Sequence, residues 1–272
     1  PAMLISAAVI VIYTTMGGFL AASTTDLIQS IVMTVALAIV IFFGISYAGG
    51  WDAVAKNAAS LPGYLSLTST YDAAAGTAVS YGGLTIASTL AWGLGYFGMP
   101  HILLRFMAIQ DIRKLKTSRR IATVWVVISM AAAVLIGVIG YGMTQSGALE
   151  TMTATTQSQR VIIKIAALIS THGVLPAILA GVILAGILAA TMSTSDSQLL
   201  AAASSVSENI LCETFRLKLS GKKSMFIARA TVVCIAVIAA VWARKEGSVF
   251  SIVSFAWAGF GASFGPVVLY SL

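Results

Sequence analysis

An all-α integral membrane protein with about seven apolar spans is what this sequence predicts, on three observations. First, the chain is 58% hydrophobic and only 9% charged, with mean hydropathy +0.96. Soluble domains carry about 25% charged residues, and a chain this apolar has too little polar surface to face water. Second, its apolar residues fall in runs of roughly 20 or more, the length that crosses a hydrocarbon core. Third, its basic residues are concentrated in two short loops between those runs.

Taken in order, the first span covers residues 2–17 and stops at the pair Gly17-Gly18, which breaks the helix. The second covers 26–49. The loop at 50–82 is long, polar and rich in Ser, Thr, Ala and Gly. The third span, 83–108, carries Gly93, Gly95 and Gly98 and then Pro100. Gly and Pro loosen the hydrogen-bond ladder, which a membrane tolerates where backbone lines a cavity. The fourth covers 119–144. Residues 157–170 keep apolar positions at helical spacing and predict a short amphipathic helix on the outer surface. The fifth span, 173–211, is long enough to tilt or to project past the bilayer. The sixth and seventh cover 225–243 and 249–272. Both chain ends lie within apolar runs, so the sequence reads as a fragment of a longer protein. No strand is expected.

Loop 109–120 holds Arg113, Lys114, Lys116, Arg119 and Arg120, and loop 212–224 holds Arg216, Lys218, Lys222 and Lys223. With Arg105 and Arg229 beside them, eleven of the 16 basic residues fall on one side. Lys56, Arg160, Lys164, Arg244 and Lys245 fall on the other. The richer side is expected to be cytoplasmic, which places 50–82 and 145–172 outside. A net charge of +7 spread this way makes no nucleic-acid footprint. Cys212 and Cys234 supply no disulfide framework and read as small apolar fillers. His101 and His172 lie far apart without metal-ligand company, and no catalytic constellation is present.

Three polar sites fall inside the spans, where a charge costs about 2.5–3.5 kcal/mol on insertion scales. The run "ILAATMSTSDSQLL" places Ala190, Ser193, Thr194 and Ser197 on one helical stripe, with Asp196 at its edge. Two hydroxyls and a backbone carbonyl are hard oxygen donors of the kind that hold small alkali cations. Small hydroxyl residues also glue helices together, but glue needs no carboxylate. In "YTTMGGFLAASTTDLIQ", Asp26 follows Thr24 and Thr25, so an N-cap with an acid in the first turn is the competing reading. In "AWGLGYFGMPHILLRFMA", Trp92 and Tyr96 are four apart and are expected to stack on one face, beside the broken backbone before Pro100. Such a pair can flank a small ligand and offer N–H and O–H groups to it.

These three stretches, with "SFAWAGFGASFGPVVL", resemble in order the successive signatures of the sodium:solute symporter family. The resemblance runs from about Val11 to Leu272. It implies the leucine-transporter-type fold, two inverted five-helix repeats, with residues 1–49 ending the first repeat and 83–272 forming the second. The N-terminal helices of the first repeat would lie outside this chain. The implied activity is sodium-coupled import of a small solute by alternating access across the bacterial inner membrane. L-proline is the first expected solute. Another amino acid, a monocarboxylate or pantothenate, or a sensor kinase with a transporter-like domain, are the alternatives. No enzymatic activity or cofactor is implied; Na+ is the coupling ion. By the resemblance, the sodium ligands fall on Ala190 (carbonyl), Ser193 and Thr194 (hydroxyls). The ion path falls on Asp26, Asp196 and Ser197, and the solute contacts on Trp92, Tyr96 and Pro100. Asp196 departs from the family pattern, which has an uncharged residue there. It could add a second cation site, a proton-sensitive group or a link to an intracellular loop, and so leaves the ion stoichiometry open.

Overall fold

The structure, a computed structural model, describes residues 2–152, 154–244 and 247–271; Lys245 and Leu272, included in the readings above, lie outside the described residues. In chain order the elements are α1 (Ala2–Tyr47), α2 (Trp51–Ala59), strands β1 (Ser69–Asp72) and β2 (Thr77–Ser80), and α3 (Gly83–Ala91). A 3-10 segment (Trp92–Gly98) leads to α4 (Pro100–Met107), followed by α5 (Leu115–Gln145), α6 (Thr155–Ser158) and α7 (Val161–Ser170). Last come α8 (Val174–Ser204), which continues as a π-helix (Ser205–Thr214), then α9 (Gly221–Trp242) and α10 (Val249–Tyr270).

Among the described residues, 5 continuous helical stretches are long and apolar enough to cross a membrane: Leu4–Tyr47, Ile112–Gln145, Val174–Thr214, Gly221–Trp242 and Val249–Tyr270. The chain is an integral, multi-pass membrane protein. Two places account for the difference from about seven spans. The expected first and second spans are joined end to end in α1, which is two helices meeting at a kink at Gly18, where the sequence places the break. Gly18 has φ 63° and ψ −162°, a backbone conformation an L side chain rarely adopts, and helix resumes after it. The expected third span is cut into α3, the 3-10 segment and α4.

One further expectation is corrected. The 50–82 loop contains a two-stranded antiparallel hairpin, with Thr70 opposite Val79 and Tyr71 opposite Ala78. Its turn is closed by Gly76 at φ 67° and by the Asp72 carboxylate, which accepts from the backbone N–H of Ala74 at 2.8 Å. The amphipathic segment expected at 157–170 is helix α7, which buries Ile165, Ala166 and Ile169 in a packed cluster and leaves Ile163, Ala167 and Ser170 exposed.

The chain divides into two compact units. One comprises Pro1–Met33, Pro100–Gln110 and Ala185–Gly247. Its core is Ile10, Leu199, Ala203 and Val232. The other comprises Thr34–Met99, Asp111–Leu184 and Ser248–Leu272. Its core joins Val40 of α1, Ile136, Ile139 and Met143 of α5, the α7 residues, and Ile183 of α8. Large apolar side chains that remain exposed, such as Leu20, Val134, Ile238 and Phe255, lie on the span-length helices, where lipid is the solvent. Outside the spans, Asp111 caps the turn at Ile112–Lys114 by accepting from the backbone N–H of Arg113 at 3.0 Å. The Arg113 side chain and that same N–H hold the Asp111 carboxyl below the usual carboxylate range. Cys212 and Cys234 are free thiols.

In the second unit the 3-10 segment and α10 approach closely because glycines face each other. A Cβ on Gly98 would run into the Phe260 carbonyl, and one on Gly261 would stand 3.1 Å from Gly95 Cα. Gly98→Ala is therefore expected to force the two elements apart at an overpacking cost of about 1–3 kcal/mol, seen as a lower melting temperature in detergent. Gly93→Ala, with nothing within 4 Å of the added Cβ, leaves the melting temperature unchanged.

Candidate ion and solute sites

The first site is built on α8. Ser193 Oγ and Thr194 Oγ1 each donate to the Ala190 carbonyl oxygen at 3.2 Å, the back-bonding that Ser and Thr make one turn along a helix. Three oxygens are thereby gathered at one place on the helix wall. Each hydroxyl spends its proton on Ala190, so its lone pairs stay available to a cation. Ala190 and Thr194 are exposed and Ser193 is half-buried. An all-oxygen set of this kind suits a hard cation. The three residues expected to hold sodium are thus together and accessible.

One turn further, the helix carries Ser197 and Asp196. Asp196 is 0% exposed. Its Oδ2 accepts from the Tyr13 hydroxyl of α1 at 2.6 Å. Its Oδ1 lies 3.3 Å from Ser197 Oγ, which donates to the Ser193 carbonyl at 2.9 Å. Of the roles left open for Asp196, the link to an intracellular loop is not what the structure shows: the partner is Tyr13, within a span. Arg105 of α4 then closes the group. Its Nη2 donates to Asp26 Oδ2 at 2.6 Å and also to Ser197 Oγ. Asp26 is therefore not part of a helix cap, as the competing reading had it. Helix has already resumed after Gly18, and Thr24 and Thr25 donate to the carbonyls of Leu20 and Ala21 instead of capping. Asp26 Oδ1, Gln29 Oε1 and Thr14 Oγ1 are buried with no hydrogen-bond partner among the described residues. Two carboxylates here face one guanidinium, which leaves the group with an excess of negative charge when both acids are ionised.

The second site lies in the other unit. Trp92 and Tyr96 do not stack on one face with each other. In a 3-10 helix positions three apart eclipse, so residues four apart point a third of a turn away from each other. Each meets Trp257 of α10 instead. Trp92 stacks on Trp257 at 5.7 Å and on Phe250 at 5.8 Å, and Tyr96 meets the Trp257 ring edge-on at 4.7 Å. Trp257 Nε1 donates to the Trp92 carbonyl at 3.0 Å, tying α10 to the 3-10 segment. A cavity of about 590 Å³ opens here, lined by Trp92, Gly95, Trp257, Gly261 and Pro266 among others. Tyr96 remains 46% exposed. Pro100 opens α4 after Met99, whose extended backbone (φ −91°, ψ 105°) is what a residue before proline adopts.

Sequence reasoning singled out neither Tyr13, Arg105 nor Trp257 as site residues. Arg105 carried a signal, a guanidinium at the end of a span that also holds a candidate solute site. Trp257 lay within a quoted motif of small and aromatic residues. Tyr13 carried none that spacing could find. Tyr13→Phe strips the buried Asp196 carboxylate of its closest donor, a loss of about 1–3 kcal/mol, so the melting temperature in detergent is expected to fall.

A model described as the sodium:solute symporter family matches residues 1–272. The osmoregulated proline transporter OpuE of Bacillus subtilis is 38% identical over 271 residues, covering 99% of this chain and 51% of the relative. The high-affinity proline transporter PutP of the same organism is 39% identical over 266 residues, covering 97% and 52%. The sodium/proline symporter of Escherichia coli is 35% identical over 275 residues, covering 98% and 50%. The chain spans about half the length of these relatives. No solved structure matches it. By the match along its whole length, the chain belongs to the sodium:solute symporter family.

Proposed function

We propose that this chain forms part of a sodium-coupled secondary transporter that imports a small solute, with L-proline first among the candidates, by alternating access. The observation that carries the reading is the convergence of the Ala190 carbonyl with the Ser193 and Thr194 hydroxyls on an accessible face of α8. The membership of the family and the functions for which the three relatives are named support it. Sodium binds at Ala190, Ser193 and Thr194, with further oxygens supplied from helices outside this chain. Asp26, Asp196 and Ser197 form its path. Residues 1–49 end one inverted repeat and 83–272 form the other, in a leucine-transporter-type bundle in the bacterial inner membrane. The solute binds at the aromatic group of Trp92 and Tyr96, with Pro100 closing the broken segment that positions them. Trp257 joins that group through its contacts with both aromatics.

Coupling then requires only that each ligand binds one conformation better than the other, a reciprocal effect of ion on solute and solute on ion. The membrane potential contributes about 2.3 kcal/mol per charge per 100 mV.

Uptake of labelled proline by vesicles holding the complete protein tests this reading. Uptake is expected to need sodium. Ser193→Ala or Thr194→Ala raises the sodium concentration for half-maximal uptake several-fold; an unchanged value in both refutes the ion site. Trp92→Ala or Tyr96→Ala weakens solute affinity at saturating sodium, and normal affinity in both moves the solute elsewhere.

A further inference from the structure

Arg105 lies outside the sodium and solute groups just described, yet it pairs with Asp26 of the proposed ion path. Its Nη2 donates to Asp26 Oδ2 at 2.6 Å and to Ser197 Oγ. Ser197 in turn donates to the backbone of Ser193, a residue of the ion group. Ser197 Oγ thus turns its proton toward Ser193 and, at longer range, Asp196, and its accepting side to Arg105. Asp26 gives one oxygen to the guanidinium and has the other without a hydrogen-bond partner among the described residues. A cation moving one helical turn from Ser193 reaches Ser197 Oγ and Asp26, the same atoms that the guanidinium already holds.

We infer that Arg105 is a resident cation of the ion path, a place-holder that sodium must displace from Asp26 and Ser197 in order to pass. The inference rests on the proposed sodium site and adds to it a residue that sets how tightly the path holds the ion. Like charges cannot share one carboxylate and one hydroxyl at contact distance without strong repulsion, so occupancy by sodium and by the guanidinium exclude each other. The carrier of Arg105 suits such an exchange. Helix α4 has only 8 residues and begins just after the extended Met99. The Arg105 side chain keeps 42% of its surface exposed while Asp26 keeps 14%, so the guanidinium has room to swing away and the acid does not. The exchange also explains why a path with two acids carries one built-in cation: with Arg105 in place one carboxylate is compensated between passages, and with Arg105 displaced the transported ion takes over that part.

The test uses the complete protein in vesicles and reads sodium half-saturation, maximal rate and membrane abundance for Arg105→Gln and Arg105→Met. Neither variant carries a charge, and Met keeps an unbranched apolar stem. Removing the competing cation is expected to lower the sodium half-saturation about five-fold or more, and to lower the maximal rate because nothing helps expel the ion. Arg105→Lys, still cationic, falls between them and the parent. A half-saturation that is unchanged or raised in an inserted uncharged variant overturns the inference. Failure of both uncharged variants to reach the membrane overturns it as well, because the guanidinium is then a structural pin. Ser193→Ala and Thr194→Ala, run beside them, separate the two levels: if both leave sodium dependence untouched, the sodium site itself has failed. If either shifts that dependence while the Arg105 variants do not lower it, only the place-holder has failed.

Discussion

A carboxylate sealed in an apolar medium must be met by donors, and the arrangement of the first unit follows from how Asp196 and Asp26 are met. Tyr13 precedes the kink at Gly18 and reaches Asp196; Asp26 follows the kink and takes Arg105. Both arms of α1 in this unit are thereby tied to polar partners on α8 or α4. Ser197 stands in the middle, touching Asp196, Arg105 and the backbone of Ser193. An apolar pair at any of these points would pack, but it would not fix which turn of one helix lies against which turn of the next. Directional hydrogen bonds do that, and the cost of leaving a buried charge unmet makes slippage unfavourable.

How far the sequence disclosed the fold depends on the length scale of each signal. Apolar runs of span length mark α5, α8, α9 and α10 to within a few residues, because lipid forces every backbone polar group into local hydrogen bonds. The break at Gly18 is legible from the Gly17-Gly18 pair itself: a positive φ at one glycine takes that residue out of helix, and the two arms of α1 meet there at a kink. The hairpin at Ser69–Ser80 escaped because of its small scale. Strands of 4 residues with alternating Thr, Tyr and Val disappear in a reading scaled to 20-residue spans.

At the candidate sites the division is between local and distant partners. Ala190, Ser193 and Thr194 could be read together because helical spacing alone brings positions i, i+3 and i+4 to one face. The pairs Asp26 with Arg105 and Tyr13 with Asp196 are 79 and 183 positions apart, and no periodicity announces them. The aromatic pair was misjudged for a more instructive reason. Its glycines were correctly taken as a sign of disturbed helix, but the orientation of Trp92 and Tyr96 was still reckoned with the α-helical period. The tighter 3-10 turn rotates Tyr96 away from Trp92 and leaves Trp257 to fill the angle between them.

The burial pattern along α8 changes step near its polar run. Buried positions advance by threes through Ala180, Ile183, Gly186 and Ala189, and by fours through Leu199, Ala203 and Ser207, the last inside the π-helical turns. Rows of three and rows of four wind around a helix with opposite slope. The seam by which α8 adheres to its neighbours therefore slants one way over its first half and reverses beside Ser197. Ala190, Ser193 and Thr194 sit where the seam turns, beside the buried Asp196 and Ser197, with Ala190 and Thr194 exposed. A single-residue insertion between Ala189 and Leu199 would rotate one slope against the other by about 100°. It would turn those oxygens away from the seam that now flanks them without changing the identity of any residue in the group.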